Sequence, residues 1–212
     1  MSVTIIIGNT GNGKTYSIKT LPPDKTIVIA CSPVFKGMSF KGGNKLYSKE
    51  NKNLFTALTS TEAIAKVKAL KTAIDKGLDK KYLVIDDTQF LMFNEYMKRS
   101  KENGFQKFSD IQKSFYDLII ELNDLPLHCF LLHHTEELIL DGVKGVKMKT
   151  LGKLLDEKVT LEGMFNEILL AKCFREEDKT QYLFMTQSDG SSSTKSREGM
   201  FEELYIPNDL LL

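Results

Sequence analysis

The chain has 212 residues, 42% hydrophobic and 27% charged, with a net charge of +1. That is enough for one hydrophobic core and too little for two ordinary domains, so a single domain over residues 1–212 is expected. The charge balance excludes a strongly basic nucleic-acid coat, and any such contact has to come from local patches. Cys31, Cys129 and Cys173 lie in or at the end of apolar runs without CxxC or metal-ligand spacing, which reads as small apolar side chains in a reducing cytoplasm.

In chain order, the first apolar run ends at Ile7, too short for a signal peptide or for the roughly 20 residues of a membrane span. Strands are predicted at 3–7, 26–31, 81–86, 128–134, 166–173 and 181–187. Several are continuously apolar, as in a parallel sheet buried on both sides. Helical patterns alternate with them, so the expected architecture is three-layered α/β: a mostly parallel central sheet with helices on both faces. A short helix is expected at 15–20. Thr59 to Glu62 form a capping-box pattern ahead of Ile64, Val67, Leu70 and Ile74, and Gly77 ends that helix. A further helix is expected from Ser109, with Ile111, Phe115, Leu118, Ile119 and Leu122 on one stripe. The segment EELILDGVKGVKMKT reads as a hairpin turning at Asp141 and Gly142. Residues 33–53, 99–108 and 188–199 read as long polar loops.

Residues 8–15, GNTGNGKT, satisfy GxxxxGK[ST] between a predicted strand and a predicted helix, the context that a phosphate-gripping P-loop needs. Glycines let backbone amides point inward at a phosphate chain, and the helix start adds positive potential. The expected nucleotide contacts are Asn9, Thr10, Gly11, Asn12, Gly13, Lys14, Thr15 and Tyr16, the asparagines through backbone more than side chain. Lys14 reaches the β and γ phosphates, and the Thr15 hydroxyl ligates Mg2+. LVIDD then puts Asp86 at the end of an apolar strand, where a Walker B carboxylate holds the magnesium. Asp87 either polarises the attacking water or caps the helix that follows it.

This combination resembles the RecA-like branch of P-loop ATPases, and in particular small phage-encoded, core-only members, some of them single-strand annealing recombinases. The P-loop, LVIDD, HHTEE, GKLLDEKV and the ending TQSDGSSSTKSREGMFEELYIPNDL carry the likeness over nearly the whole chain. The resemblance implies ATP hydrolysis with Mg2+, single-stranded DNA as a partner, homo-oligomers as rings or filaments, work with phage replication or recombination proteins, and a host-cytoplasmic location. It also implies a γ-phosphate sensor at His133 or His134. Lys195 and Arg197 of TKSREGMF would act as fingers in the neighbouring subunit's site, approached by a flexible stretch from Gly190 to Ser193. DNA contacts would come from Lys98, Arg99, Lys101 and Lys107 beside Phe105 and Phe108, and from Lys144, Lys147, Lys149 and Lys153, because single strands need charge for phosphates and rings for bases. The second strand lacks the glutamate with which RecA activates water, leaving Asp87 or Glu136 to substitute. Two other classes stay open: a P-loop kinase for nucleotides or small molecules, which the scarcity of arginine (Arg99, Arg175, Arg197) disfavours, and an ATP-switched adaptor of the helicase-loader type.

Overall fold

A computed structural model describes residues 2–140, 143–151, 161–176 and 179–211. The element order is β1 (Val3–Gly8), a 3-10 helix (Thr15–Thr20), β2 (Thr26–Ala30), α1 (Gly43–Leu46), β3 (Leu54–Thr56), α2 (Ser60–Asp75), β4 (Tyr82–Asp86), α3 (Gln89–Lys98), α4 (Gln106–Asn123), β5 (His128–Leu140), β6 (Val143–Met148), a second 3-10 helix (Leu161–Met164), β7 (Glu167–Glu176), β8 (Lys179–Met185) and β9 (Tyr205–Pro207). The strands form one mixed sheet in the order β3-β2-β4-β5-β1-β7-β8-β9, with β6 paired to β5. Six neighbours from β3 to β7 run parallel, and β8 and β9 add an antiparallel edge.

Strand alternation sorts the core into two layers. Ile5, Ile7, Leu83, Ile85, Cys129, Leu131, Ile168 and Leu170 face α2, α3 and α4. Ile6, Val84, Phe130, Leu132, Leu169 and Phe184 face the other way. That second face is covered differently from the expectation of helices on both sides. Its cover consists of the 3-10 helix through Ile18 and Leu21, the 33–53 segment through Met38 and Tyr47, and Leu210. The Tyr47 hydroxyl donates to the Leu21 carbonyl at 3.1 Å, fixing the segment expected to be a loop onto the 3-10 helix. That helix cannot lengthen, because Leu21 precedes Pro22 and is held extended at φ −79°, ψ 141°, as the proline ring demands of its predecessor.

Thr59 caps α2 by accepting from the Glu62 amide at 3.2 Å, as the sequence predicts. The α4 helix begins at Gln106, three residues before the expected Ser109. Its first turn is held by Gln106 donating to Asp110 and by Lys107 donating to the Glu102 carbonyl, bonds that no capping motif announces. Both arms of the expected hairpin form, as the distal half of β5 and β6; its turn at Asp141 and Gly142 lies outside the described residues, as does the GKLLDEKV segment with Lys153. Strands β3 and β9 are three residues each and carry too little pattern to be read beforehand. Among the described residues no helix is long and apolar enough to cross a membrane.

Candidate functional site

The parallel pairing of the six strands stops at one edge of the sheet, where β1, β2, β3 and β4 give way to loops and β5 and β7 run on into ladders with β6 and β8. Counting by twos from the core places Gly8 with Ile6, Asp86 with Val84 and His134 with Leu132, so these three positions share the face opposite α4. Strand β5 lies between β1 and β4, with Gly8 beside His134 in register. The glycine loop therefore faces the end of β4 across the end of β5.

The loop is shaped by its glycines. Gly11 and Gly13 have φ of 85° and 87°, which side chains rarely adopt. A Cβ at Gly8 would stand 3.0 Å from the Ala171 carbonyl oxygen. Both asparagines also act through their side chains, beyond the mainly backbone contribution expected of them. Asn12 Nδ2 donates to the Ala171 carbonyl at 2.9 Å, and the Thr135 hydroxyl donates to Asn9 Oδ1 at 2.6 Å. They pin the loop to β7 on one side and β5 on the other.

Lys14 is buried and donates to the Gly8 and Asn9 carbonyls at 2.7 and 3.1 Å. Burial lowers its pKa to about 8, against the pull of Asp87 and Asp86. The Thr15 hydroxyl reaches both oxygens of Asp86 at 3.1 Å. Asp86 is 3% exposed. Burial, reinforced by the like charge of Asp87, raises its pKa, and the Thr15 hydroxyl only partly offsets this. Burial pushes Asp87 upward too, but hydrogen bonding and charge from His134, with Gln89 and Lys14, outweigh it and hold Asp87 below the usual carboxylate range. His134 Nε2 lies 3.2 Å from Asp87 Oδ1.

Asp87 does not cap α3. Thr88 occupies the cap position, with no side-chain bond to the helix, and Asp87 stands at φ 61°. A non-glycine residue in the left-handed region stores on the order of 1 kcal/mol, held here by its surroundings. Lys14, Thr15, Tyr16, Asp87, His134 and Tyr182 line one cleft of about 300 Å3.

The two histidines separate by the same alternation. His133 is buried on the helix side, its Nε2 donating to the Lys149 carbonyl at 2.6 Å and its Nδ1 2.6 Å from the Thr88 hydroxyl. Burial lowers its pKa to about 3, so it is a neutral clamp between β5, the start of α3 and the residue that follows β6. Of the two sensor candidates, only His134 reaches the cleft.

The basic candidates scatter. Arg99 is claimed by Glu95, Glu102 and Asp110, at 3.8, 2.8 and 2.9 Å, Lys98 by Glu62 at 3.4 Å, and Lys147 by Glu136 at 3.3 Å. Lys107 is buried against backbone carbonyls, and Lys149 stands 5.3 Å from the Phe93 ring. Lys101 and Lys144 are exposed, as is Phe105, while Phe108 packs on Tyr96. Glu136 is thus tied to the hairpin, and Asp87 is the carboxylate among the described residues that line the cleft.

Lys195 and Arg197 lie at the other end of the sheet. Lys195 bridges Ile168 through two backbone bonds of 3.0 and 2.8 Å, and Arg197 Nε meets the buried Glu167 at 2.9 Å. The Ser-rich approach, expected to be flexible, is bonded within the chain: Ser188 donates to the Ser192 carbonyl, Asp189 Oδ1 accepts from Ser191, and the Val146 amide donates to the Ser191 carbonyl at 2.8 Å. No family model and no curated protein matches the chain. Its function therefore has to be argued from the site itself. Sequence reading overlooked Tyr182 and Ser39 in the cleft, because nothing local marks either residue. Only the pairing of β8 with β7 brings Tyr182 to Gly13.

Proposed function

We propose that the chain is a P-loop ATPase of the RecA-like kind, binding ATP with Mg2+ in the cleft beside Lys14 and hydrolysing it. The observation that carries this reading is the convergence of Lys14, the Thr15 hydroxyl and a buried Asp86 carboxyl, 71 residues distant in sequence from Thr15, at 3.1 Å. A buried carboxyl facing a hydroxyl is a hard-oxygen donor pair that suits magnesium, with phosphate oxygens and water completing the shell. Magnesium supplies charge neutralisation of the phosphates.

In this reading the backbone of residues 10–15 grips the phosphates, and Lys14 exchanges its carbonyl partners for β and γ oxygens. Asp87 then orients the attacking water and receives its proton, while His134 keeps that carboxylate ionised and aimed. Having both groups pre-placed lowers the reorganisation needed at the moment of transfer. Such a role for Asp87 replaces the glutamate missing from β2.

A kinase is less well supported. Arg99 and Arg197 are each paired with carboxylates of their own chain, and no arginine is among the described residues that line the cleft. For a role in DNA recombination or replication, the support is Lys101, Lys144 and Phe105, exposed on elements next to the ATP edge. For assembly, a head-to-tail stack would bring Lys195 and Arg197 of one subunit to the cleft of the next. An ATP-switched adaptor would use the same cleft without turnover.

ATP turnover measured with and without single-stranded DNA at several protein concentrations tests the proposal. Turnover should rise with both, and Lys14→Ala should lower it by about 100-fold or more. Turnover independent of DNA and concentration overturns the recombination reading, and absence of Mg-ATP binding overturns the whole.

A further inference from the structure

We propose that Tyr182, backed by Tyr16, is the wall on which the nucleotide's base stacks, and that the cleft therefore takes nucleoside triphosphates with little selectivity among bases; this rests on the nucleotide-binding reading above. Tyr182 lies on β8 opposite Cys173 of β7, on the same face as the buried Phe184. Its ring is seated on the loop itself, since a Cβ at Gly13 would come 2.6 Å from Tyr182 Cδ1. The Tyr16 ring lies behind it, with centroids 5.1 Å apart at 40°. Tyr16 is already engaged, with Lys19 Nζ 3.7 Å from its centroid and bonded to its hydroxyl. Tyr182, half-buried and lining the cleft, is the ring left to meet a ligand.

The phosphate end of the cleft is defined by Lys14, Thr15 and Asp87, so the base lies a sugar's length away, past Tyr16. The remaining polar side chains among the described lining residues are His134, whose Nε2 is engaged by Asp87, and the hydroxyls of Thr10, Ser39 and the tyrosines. A hydroxyl both donates and accepts, so it does not distinguish one base edge from another. Strong discrimination needs buried groups that a wrong base would leave unpaired. An aromatic face stacks on every base.

Calorimetric titrations of the full chain in Mg2+ with ATP, GTP, CTP, UTP and inorganic tripolyphosphate test this, using wild type, Tyr182→Ala and Tyr182→Phe. The four nucleotides should bind within about 10-fold of one another, and ATP about 10-fold or more tighter than tripolyphosphate. Tyr182→Ala should bring ATP down to tripolyphosphate while leaving tripolyphosphate affinity unchanged, which also reports that the variant is folded. Tyr182→Phe should retain the wild-type ratio. An unchanged ratio in Tyr182→Ala, or a preference above about 100-fold for one base, overturns the platform while leaving the phosphate site standing. If neither ATP nor tripolyphosphate binds wild type, the nucleotide reading fails and the platform with it.

Discussion

Two carboxyl groups, Asp86 and Glu167, are buried at opposite ends of the same parallel sheet, 3% and 1% exposed. Both sit on the face opposite α4, about 7 Å apart along the strand direction, as two residues of β1 span. Glu167 has a cation of its own, with Arg197 at 2.9 Å. Asp86 has a hydroxyl, a neighbouring carboxylate and a lysine whose ammonium is spent on backbone carbonyls. The first arrangement closes on itself and is what a fold uses to tie a loop down. The second keeps unfavourable electrostatics in place, which is the condition in which an external cation gains most by binding.

The largest expected difference lies in pH dependence. Burial and the like charge of Asp87 raise the Asp86 pKa to about 7, so the folded protein keeps that proton to higher pH than the unfolded chain, which releases it near pH 4. Its contribution to stability therefore falls as pH rises between those values. His133, lowered to about 3, acts in the opposite sense over part of the same range, and Asp87, also lowered, does so only below it. The difference between wild type and Asp86→Asn reports Asp86 together with its coupling to Asp87. Urea midpoints from pH 4 to 7 should show wild type losing ground to Asp86→Asn by up to about 4 kcal/mol, at about 1.4 per pK unit. A pH-independent difference would overturn the raised pKa of Asp86.

Next comes Arg197→Ala, which leaves the Glu167 carboxylate buried without its cation. Arg197 is itself 60% exposed, so water compensates in part. A loss of about 2 kcal/mol is expected in denaturant unfolding. If Arg197 instead serves only a neighbouring subunit, ATP turnover falls and unfolding stays where it was. The smallest effect belongs to Thr4→Val. The Thr4 hydroxyl reaches Glu167 only at 3.5 Å, so the change should be within about 0.5 kcal/mol by thermal denaturation. A larger loss would mean that Glu167 depends on its hydroxyl contact as well as on Arg197.

Composition, the GxxxxGK[ST] spacing and LVIDD were sufficient to name Lys14, Thr15 and Asp86 and to foresee an α/β sheet, because those signals are local: glycine at positive φ, apolar runs of strand length, a capping threonine. They could not say that β5 lies between β1 and β4, and this non-local pairing is what turns His134 into the cleft and His133 away from it, one residue apart. The basic stretches were legible as charge but not as partners. Arg99 is neutralised by Asp110, eleven residues on, and Arg197 by Glu167, thirty residues back. Tyr182 could be seen only as one aromatic on a strand until the sheet set it on Gly13. Residue type and spacing determine which groups can do chemistry; which of them meet depends on strand order and on the two-residue alternation of side chains, and those are properties of the assembled sheet.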